Sequence, residues 1–201
     1  MKRITVVIGH PRPGSLSHGL AESYVSAAKE SGAEVRVIDL AQASWPLAPI
    51  EFHDEELAHA NATIPLSPAL AQMTEDLVWA EHLVFVHPVW WGTYPAALKD
   101  FIDSAFLPGV TFKYRSDGSG WDKLLKGRTA RLIYTMDAPG WFHRFWYRKP
   151  SENSLRYPIL WYCGVKTIGA TSFSPVRKST LEQRTKWLQA VARFGGSDAL
   201  K

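Results

Sequence analysis

The sequence holds a single cysteine, Cys163, so no disulfide can form within the chain. A stapled secreted scaffold is excluded, and a reduced, cytoplasmic setting is expected. Long apolar runs are missing too. Nothing approaches the ~18 residues of a membrane span, so direct membrane insertion is not expected. The first apolar run, Ile4–Gly9, is too short for a secretory signal and meets His10-Pro11-Arg12. The seven histidines form no H-x-x-x-H or H-E-x-x-H set, so no metal site is expected. No G-x-S-x-G elbow occurs; the GSG at Gly118–Gly120 lacks its spacing. Cys163 lies in ILWYCGV with no arginine at phosphatase-loop spacing, which reads as an inert core thiol. The run His53-Asp54-Glu55-Glu56 reads as a solvated acidic cluster rather than a cation site. Internal repeats and low-complexity tracts are absent.

Acidic residues are scarce in one half. Residues 113–201 carry 17 Lys+Arg and 6 Asp+Glu, a balance of +11. Residues 1–112 carry 6 and 13, a balance of −7. A basic half can meet nucleic acid, a phosphorylated cofactor or an acidic surface; a scattered solvated face accounts for most of these charges equally simply.

What is present is a 201-residue chain with 46% hydrophobic residues, which suits one globular domain spanning 1–201. ITVVIG (Ile4–Gly9) is a β-branched run of the kind buried on both faces of a sheet. Ser15–Ser31 carries Leu16, Leu20, Tyr24, Ala27 and Ala28 on one helical stripe, with Gly32 as its stop. VRVIDL (Val35–Leu40) is a second strand. Ser67–Glu81 is a helix with Ser67 as N-cap and Pro68 at its first position. Leu83–Pro88 is a third strand, followed by a helix from Thr93–Pro95 with Leu98, Phe101, Ile102 and Ala105 inward. Thr129–Met136 is a fourth strand, Asn153–Cys163 a helix, Val165–Phe173 a fifth strand and Thr180–Phe194 a last helix. Gln42–Leu66 is the longest irregular stretch and, with Trp45, Pro46, Pro49, Phe52 and Pro65, is apolar enough to pack, here or on a second subunit.

Strands alternating with helices predict right-handed crossovers and an α/β three-layer sandwich. Five parallel strands with helices on both faces suit the flavodoxin-like order 2-1-3-4-5. In that order the switch point lies between strands one and three. GHPRPGSLSHGL (Gly9–Leu20) and PVWWGTY (Pro88–Tyr94) would face each other there. The first offers Ser15, Ser17 and a helix start, which suit a phosphate, although an ordinary capped turn explains it as well. It is neither G-x-G-x-x-G nor G-x-x-x-x-G-K-[ST], so the dinucleotide and Walker A signatures do not apply. The second offers backbone amides, Gly92 and the flat faces of Trp90 and Trp91. Core or dimer packing is the commoner fate of tryptophan. A planar ring joined to a phosphate, a flavin mononucleotide unit, fits both rims. A third segment, TMDAPGWFHRFWYRKP (Thr135–Pro150), closes the same crevice, with Asp137, Gly140, Trp141 and His143 as polar or flexible candidates. Its aromatic–basic mixture resembles a single-strand nucleic-acid platform, but no RRM, OB or helix-turn-helix pattern surrounds it, so no nucleic-acid partner is expected. It reads as a lid or interface segment.

The passages HPRPGSLSHGLAESYVSAA, DLAQASWPLAPI and VFVHPVWWGTYPAALKDFIDSAFLPGVTFKY resemble the NAD(P)H:quinone oxidoreductases of the flavodoxin-like fold, the family that includes DT-diaphorase and the ancillary proteins of bacterial potassium efflux. The likeness runs from Ile4 to about Thr135. It implies a bound flavin, FMN or alternatively FAD, NAD(P)H as cosubstrate, two-electron reduction of quinone-like acceptors and a homodimer with the site at its interface. His10, Ser15, Leu16 and Ser17 match the flavin-phosphate loop. Pro88, Val89, Trp90, Trp91 and Gly92 match the turn against the isoalloxazine ring. Thr135, Met136, Asp137 and Ala138 match the second flavin turn, although DT-diaphorase has threonine–glycine–glycine there. Phe112, Tyr114 and Trp141 are candidate acceptor-pocket aromatics. The tyrosine–histidine relay of DT-diaphorase does not transfer, which leaves His143 as the candidate proton donor. A one-electron flavodoxin carrier and a non-enzymatic transporter subunit are the competing readings; carriers of the first type dock through acidic surfaces, which the positive balance opposes.

Overall fold

The computed structural model describes residues 1–44 and 66–201. Five parallel strands form the sheet: β1 (Arg3–Ile8), β2 (Glu34–Asp39), β3 (His82–Pro88), β6 (Thr129–Thr135) and β7 (Lys166–Phe173), in the order β2-β1-β3-β6-β7. This is the expected flavodoxin-like order, with β6 and β7 standing fourth and fifth in the sheet.

The sheet's two faces are separate apolar layers. Ile4, Val6 and Ile8 point one way, with Val84, Val86 and Ile133, onto α1 (Leu16–Glu30) and α6 (Leu181–Ala199). Val7, Leu83, Phe85 and Leu132 point the other way, onto α2 (Pro68–Trp79) and α3 (Ala96–Ala105). The alternation follows from the period of two along a strand, and both sets are apolar because helices cover both faces. Each fully buried branched side chain contributes about 1.5–3 kcal/mol, so β1 and β3 are the least dispensable part of the scaffold. Ser67 caps α2 as expected, its Oγ accepting from the Leu70 amide at 3.3 Å with Pro68 next in line.

Several boundaries differ from the sequence reading. A two-stranded antiparallel hairpin, β4 (Phe112–Tyr114) and β5 (Trp121–Lys123), stands apart from the main sheet. Three-residue strands carry too little alternation to be seen in advance. The segment after β6 contains a six-residue helix, α4 (Gly140–Phe145). The helix expected over Asn153–Cys163 starts earlier, as α5 (Pro150–Leu155), and widens into a π-helix over Arg156–Trp161. Pro158 sits inside that widened turn and has no N–H to donate, which loosens the α-helical ladder there. The last helix runs to Ala199 instead of Phe194, straight through Gly195 and Gly196. Most of the irregular stretch Gln42–Leu66, including Trp45, Pro46, Pro49, Phe52, Pro65 and the acidic group His53–Glu56, lies outside the described residues.

Among the described residues no helix is long and apolar enough to cross a membrane. No group of three or more His, Cys, Asp or Glu converges as a metal site among them either.

Candidate functional site

Three loops leave the carboxyl ends of β1, β3 and β6 on one side of the sheet and enclose a cavity of about 630 Å³. All of the residues matched above to flavin-phosphate and ring turns line it: His10, Ser15, Leu16 and Ser17; Pro88, Val89, Trp90, Trp91 and Gly92; and Thr135, Met136, Asp137 and Ala138. His143 lines it as well.

The first rim is the β1–α1 turn. Gly9 is required where β1 ends, because a Cβ there would come within 2.8 Å of Leu98 Cδ2 and 3.1 Å of His87 Cβ. The chain then passes His10, whose Nδ1 accepts from the Arg12 amide at 3.0 Å. Burial, and then the nearby Arg12 charge, push the His10 pKa down, so this imidazole is neutral near pH 7. Ser15 stands at the N-cap of α1 but makes no side-chain cap bond. Its carbonyl accepts from the His18 and Gly19 amides. Leu16 and Ser17 line the cavity at the positive end of the helix, where first-turn amides lack intrahelical acceptors. Ser17 is 1% exposed, and among the described residues its Oγ has no hydrogen-bond partner. An orphaned hydroxyl in a cavity at a helix start fits an anion, and a phosphate would satisfy it.

The second rim is the turn after β3. Trp90 N donates to Thr93 O at 2.7 Å, and Thr93 N donates to Trp90 O at 3.0 Å. Between them Trp91 and Gly92 both have positive φ, 51° and 82°. That is the signature of a tight type I′ turn. Glycine adopts it freely; a bulky residue such as Trp91 does so at a cost of about 1–3 kcal/mol. The indole of Trp91 is fully exposed, so among the described residues no packing compensates. The Val89, Trp90 and Thr93 amides are occupied by backbone carbonyls. Among the described residues the Trp91 and Gly92 amides have no such partner, so they are the donors left for a ligand. Trp90 stands edge-on to His10, ring centroids 5.3 Å apart, which closes the gap between the rims without plugging it.

The third wall is the turn after β6. Met136 N donates to Phe173 O, and Val176 N donates to Met136 O at 3.1 Å each, which ties this turn to the loop after β7. Asp137 Oδ1 accepts the Arg177 amide at 2.6 Å. His143 comes from α4. It is 2% exposed, and its Nε2 has no partner. Burial lowers its pKa, so it is a neutral imidazole with an unused nitrogen at the cavity wall. Beside it Tyr134 donates to Glu152 Oε2 at 3.1 Å, and burial next to that carboxylate pushes the phenol pKa up.

Four lining residues escaped the sequence reading: Arg12, Tyr147, Val176 and Arg184. Arg12 lies inside the HPRPG turn, so its position was available from the motif. Val176 and Arg184 are brought in only because β7 lies beside β6, which no local pattern announces. Arg184 is held by Ser179 Oγ at 2.8 Å and Val176 O at 3.3 Å, so its guanidinium is fixed before any anion arrives.

The three candidate acceptor aromatics are placed elsewhere. Phe112 and Tyr114 sit on the β4–β5 hairpin, edge-on to each other, and do not line this chain's cavity. The hairpin is pinned to the end of the π-helix: Trp121 Nε1 donates to Tyr162 O at 2.9 Å, and the two rings stack at 4.3 Å. Trp141 on α4 is exposed and borders a neighbouring depression that shares His143 with the cavity. Cys163 is buried, and burial pushes its thiol pKa up, the condition of an unreactive cysteine.

Strand order, switch-point cavity and helix-start anion cradle together define a flavodoxin-like protein. A family model described as "Flavodoxin-like fold" matches residues 2–195, and the chain belongs to that family. It is 31% identical over 191 residues to a protein named FMN-dependent NADH:quinone oxidoreductase from Ruegeria pomeroyi, covering 88% of each chain. It is 26% identical over 216 residues to a ribosyldihydronicotinamide dehydrogenase-like protein from Penicillium crustosum, covering 95% of this chain and 80% of that one. Among solved structures, Smu.1420 from Streptococcus mutans superposes with a TM-score of 0.78 at 25% identity, over 98% of this chain and 100% of that one. The NAD(P)H:quinone oxidoreductase of Methanothermobacter marburgensis gives the same TM-score at 20% identity, over 96% of each, and so shares the fold.

Proposed function

We propose that this chain is an FMN-dependent NAD(P)H oxidoreductase that reduces quinone-type acceptors by two-electron transfer. The observation that carries the proposal is the convergence of the β1–α1, β3–α3 and β6–α4 turns on one cavity, with an orphaned hydroxyl and open helix-start amides at its anionic end. The curated relative from Ruegeria pomeroyi, matched along most of its length, supports the same chemistry.

Flavin, when bound, would supply two-electron redox chemistry between nicotinamide and acceptor. The protein's part is holding, orienting and excluding water. Leu16 N, Ser17 N and Ser17 Oγ would hold the phosphate, with Arg12 and Arg184 supplying countercharge. The Trp91 and Gly92 amides, left without backbone acceptors among the described residues, would donate to a polar ring edge and would favour negative charge developing on it. His143 on the cavity wall would be the group that exchanges a proton with the acceptor. The basic half of the chain draws in the phosphates of NAD(P)H. Both substrates use one opening in turn, so ping-pong kinetics follow.

Completion of the pocket by a second copy belongs to the same proposal. Trp141, Phe145 and Trp146 expose aromatic surface next to the cavity, the kind of surface that homodimer interfaces cover. In that arrangement Phe112 and Tyr114 serve the partner's cavity. One buried thiol without a disulfide partner supports a cytoplasmic setting.

The decisive experiment is a flavin titration. The purified protein should be yellow, or become so with FMN, and should oxidise NAD(P)H with menadione as acceptor. A colourless protein that binds no FMN and oxidises no NAD(P)H ends the proposal.

A further inference from the structure

Beside the β1–α1 turn runs a part-buried hydrogen-bonded chain of three side chains. Ser15 Oγ lies 2.7 Å from His18 Nδ1, and His18 Nε2 lies 3.1 Å from Asp39 Oδ1. His18 is buried inside the first turn of α1, and Asp39 ends β2. Asp39 is an acceptor on every side: Oδ1 also receives the Ala41 amide at 3.0 Å, and Oδ2 receives Gln42 Nε2 at 2.8 Å. A carboxylate so surrounded has only lone pairs to offer. His18 Nε2 must therefore carry a hydrogen, which assigns the tautomer of the neutral ring.

The consequence falls on Ser15. With neutral His18, Nδ1 is a lone pair and Ser15 must donate its O–H inward. Its oxygen then presents lone pairs to the cavity, the wrong polarity for an anion. This also explains why Ser15 caps nothing. Ser67 and Thr180 cap α2 and α6 through their side chains, accepting at 3.3 and 3.2 Å, whereas Ser15 is turned onto the imidazole. If His18 gains a proton, Nδ1–H donates to Ser15 Oγ, and the Ser15 O–H is released to donate into the cavity. The ring nitrogens are used in the opposite sense from a hydrolytic triad, where Nε2 faces the serine.

We propose that His18 is the positioning residue of the phosphate cradle: it takes up one proton when a phosphate dianion binds, and thereby reverses the Ser15 hydroxyl from inward to outward donor. The proposal rests on the FMN reading above and deepens it. The proton comes from solvent; no other bond forms or breaks. The groups around His18 favour this assignment. Asp39 faces it from β2 and stabilises the imidazolium. From the β1–α1 turn His10 approaches to 6.3 Å between ring centroids, with Arg12 beyond it. From α6, Leu188 packs at Gly19, and Arg184 lines the same cavity. Asp39 lies on one side of the ring and the cavity, with Arg12 and Arg184 on its wall, on the other. An incoming dianion adds negative charge on the cavity side and so acts on the ring in the same sense as Asp39. His10 is the rival proton acceptor, and its Nδ1 is already engaged by the Arg12 amide.

Linkage makes this measurable, because the slope of log Kd against pH equals the number of protons taken up. FMN binding is measured by calorimetry at about pH 7.5, above the phosphate monoester's own titration near 6, in buffers of different ionisation heat. The expected result is uptake of most of one proton, with FMN affinity rising up to ~tenfold for each pH unit lowered. Riboflavin, which lacks the phosphate, should bind with no uptake. His18→Gln should still bind FMN, at least about tenfold more weakly, with uptake abolished, whereas His10→Gln should retain uptake. Should His18→Gln not fold, the imidazole proton resonances of the wild type report the same event, His18 moving to its charged position on FMN addition. FMN binding without proton uptake overturns the proposal and leaves the flavin reading standing. Uptake lost in His10→Gln but kept in His18→Gln also overturns it. Failure to bind FMN at all overturns both.

Discussion

Arg131 on β6 and Asp198 near the end of α6 form a buried two-pronged ion pair, Nε to Oδ2 at 2.5 Å and Nη2 to Oδ1 at 2.9 Å. Tyr24 of α1 donates to the same carboxylate at 3.0 Å, and His82 Nε2 lies 3.3 Å away. One carboxylate thus joins the sheet to both helices of its layer. Replacing Asp198 by Asn leaves the Arg131 guanidinium without a counter-charge, and the expected loss is about 3–5 kcal/mol by urea denaturation. Arg131→Met combined with Asp198→Leu should recover most of it, since the cost lies in the unpaired charge. Burial alone would raise the Asp198 pKa, but Arg131 and His82 override it and hold the carboxyl well below the usual range. A depressed acid stabilises the fold above its unfolded value, near 3.9. That contribution drains as pH falls further, so the wild type should lose stability below about pH 4 more steeply than Asp198→Asn. Parallel acid profiles for the two would refute this.

Gly195 is the point of closest approach between α6 and α1. A Cβ there would collide with the Tyr24 carbonyl and stand 3.2 Å from the Ala28 amide. Alanine improves helix propensity by about 1 kcal/mol. It also forces the two helices apart at a backbone-to-backbone contact, which costs about 1–3 kcal/mol or more. The second effect should win: Gly195→Ala should lower the urea midpoint, while Gly196→Ala, which meets only the Ser31 hydroxyl at 3.2 Å, should be close to neutral. Equal effects at the two positions would show that propensity alone governs this helix.

His87, next to the end of β3, is fully buried and stacked on Tyr134 with ring centroids 5.9 Å apart. Its Nδ1–H donates to the Pro88 carbonyl at 3.0 Å, and Nε2 has no partner. Burial drives its pKa from 6.5 down to about 4. The unfolded chain therefore binds a proton that the folded chain refuses between those values. Stability should fall as pH drops from about 6.5 toward 4, by on the order of 3 kcal/mol in all. His87→Phe, which keeps the ring and removes the titration, should flatten that stretch of the profile. An unchanged slope in the variant would place the sensitivity elsewhere.

These elements also mark what the sequence could and could not disclose. The layered sheet was legible because β1 and β3 are unbroken apolar runs and the helices keep a 3.6-residue stripe. The three cavity turns were legible because each follows a strand whose end faces the switch point. The length of α6 was not, since glycine ordinarily stops a helix, and only the Tyr24 carbonyl explains why Gly195 sits inside one. Arg184 was hidden for a related reason: its place depends on β7 pairing with β6, a contact between residues far apart in the chain. The hairpin that carries Phe112 and Tyr114 is held by Trp121 against Tyr162, another long-range contact with no local pattern.

Ser17 separates stability from binding most cleanly. Its Oγ is buried without a partner among the described residues, so burial has removed the hydroxyl from bulk water without a protein hydrogen bond in return. An unmet buried hydroxyl costs roughly 1–3 kcal/mol. Ser17→Ala should therefore leave the ligand-free protein as stable as the wild type or more stable, raising its Tm. The same change removes a donor from the phosphate cradle and should weaken FMN binding by about tenfold, near 1.4 kcal/mol. Riboflavin affinity, which owes nothing to the cradle, should be unaffected. The opposite signs are the test, because a purely structural serine would lower Tm and leave FMN affinity alone. Thermal unfolding of flavin-free protein and fluorescence titration with both flavins read the two quantities separately. A variant that loses stability and FMN affinity together, with riboflavin affinity falling in step, would show that Ser17 supports the loop and does not reach the phosphate.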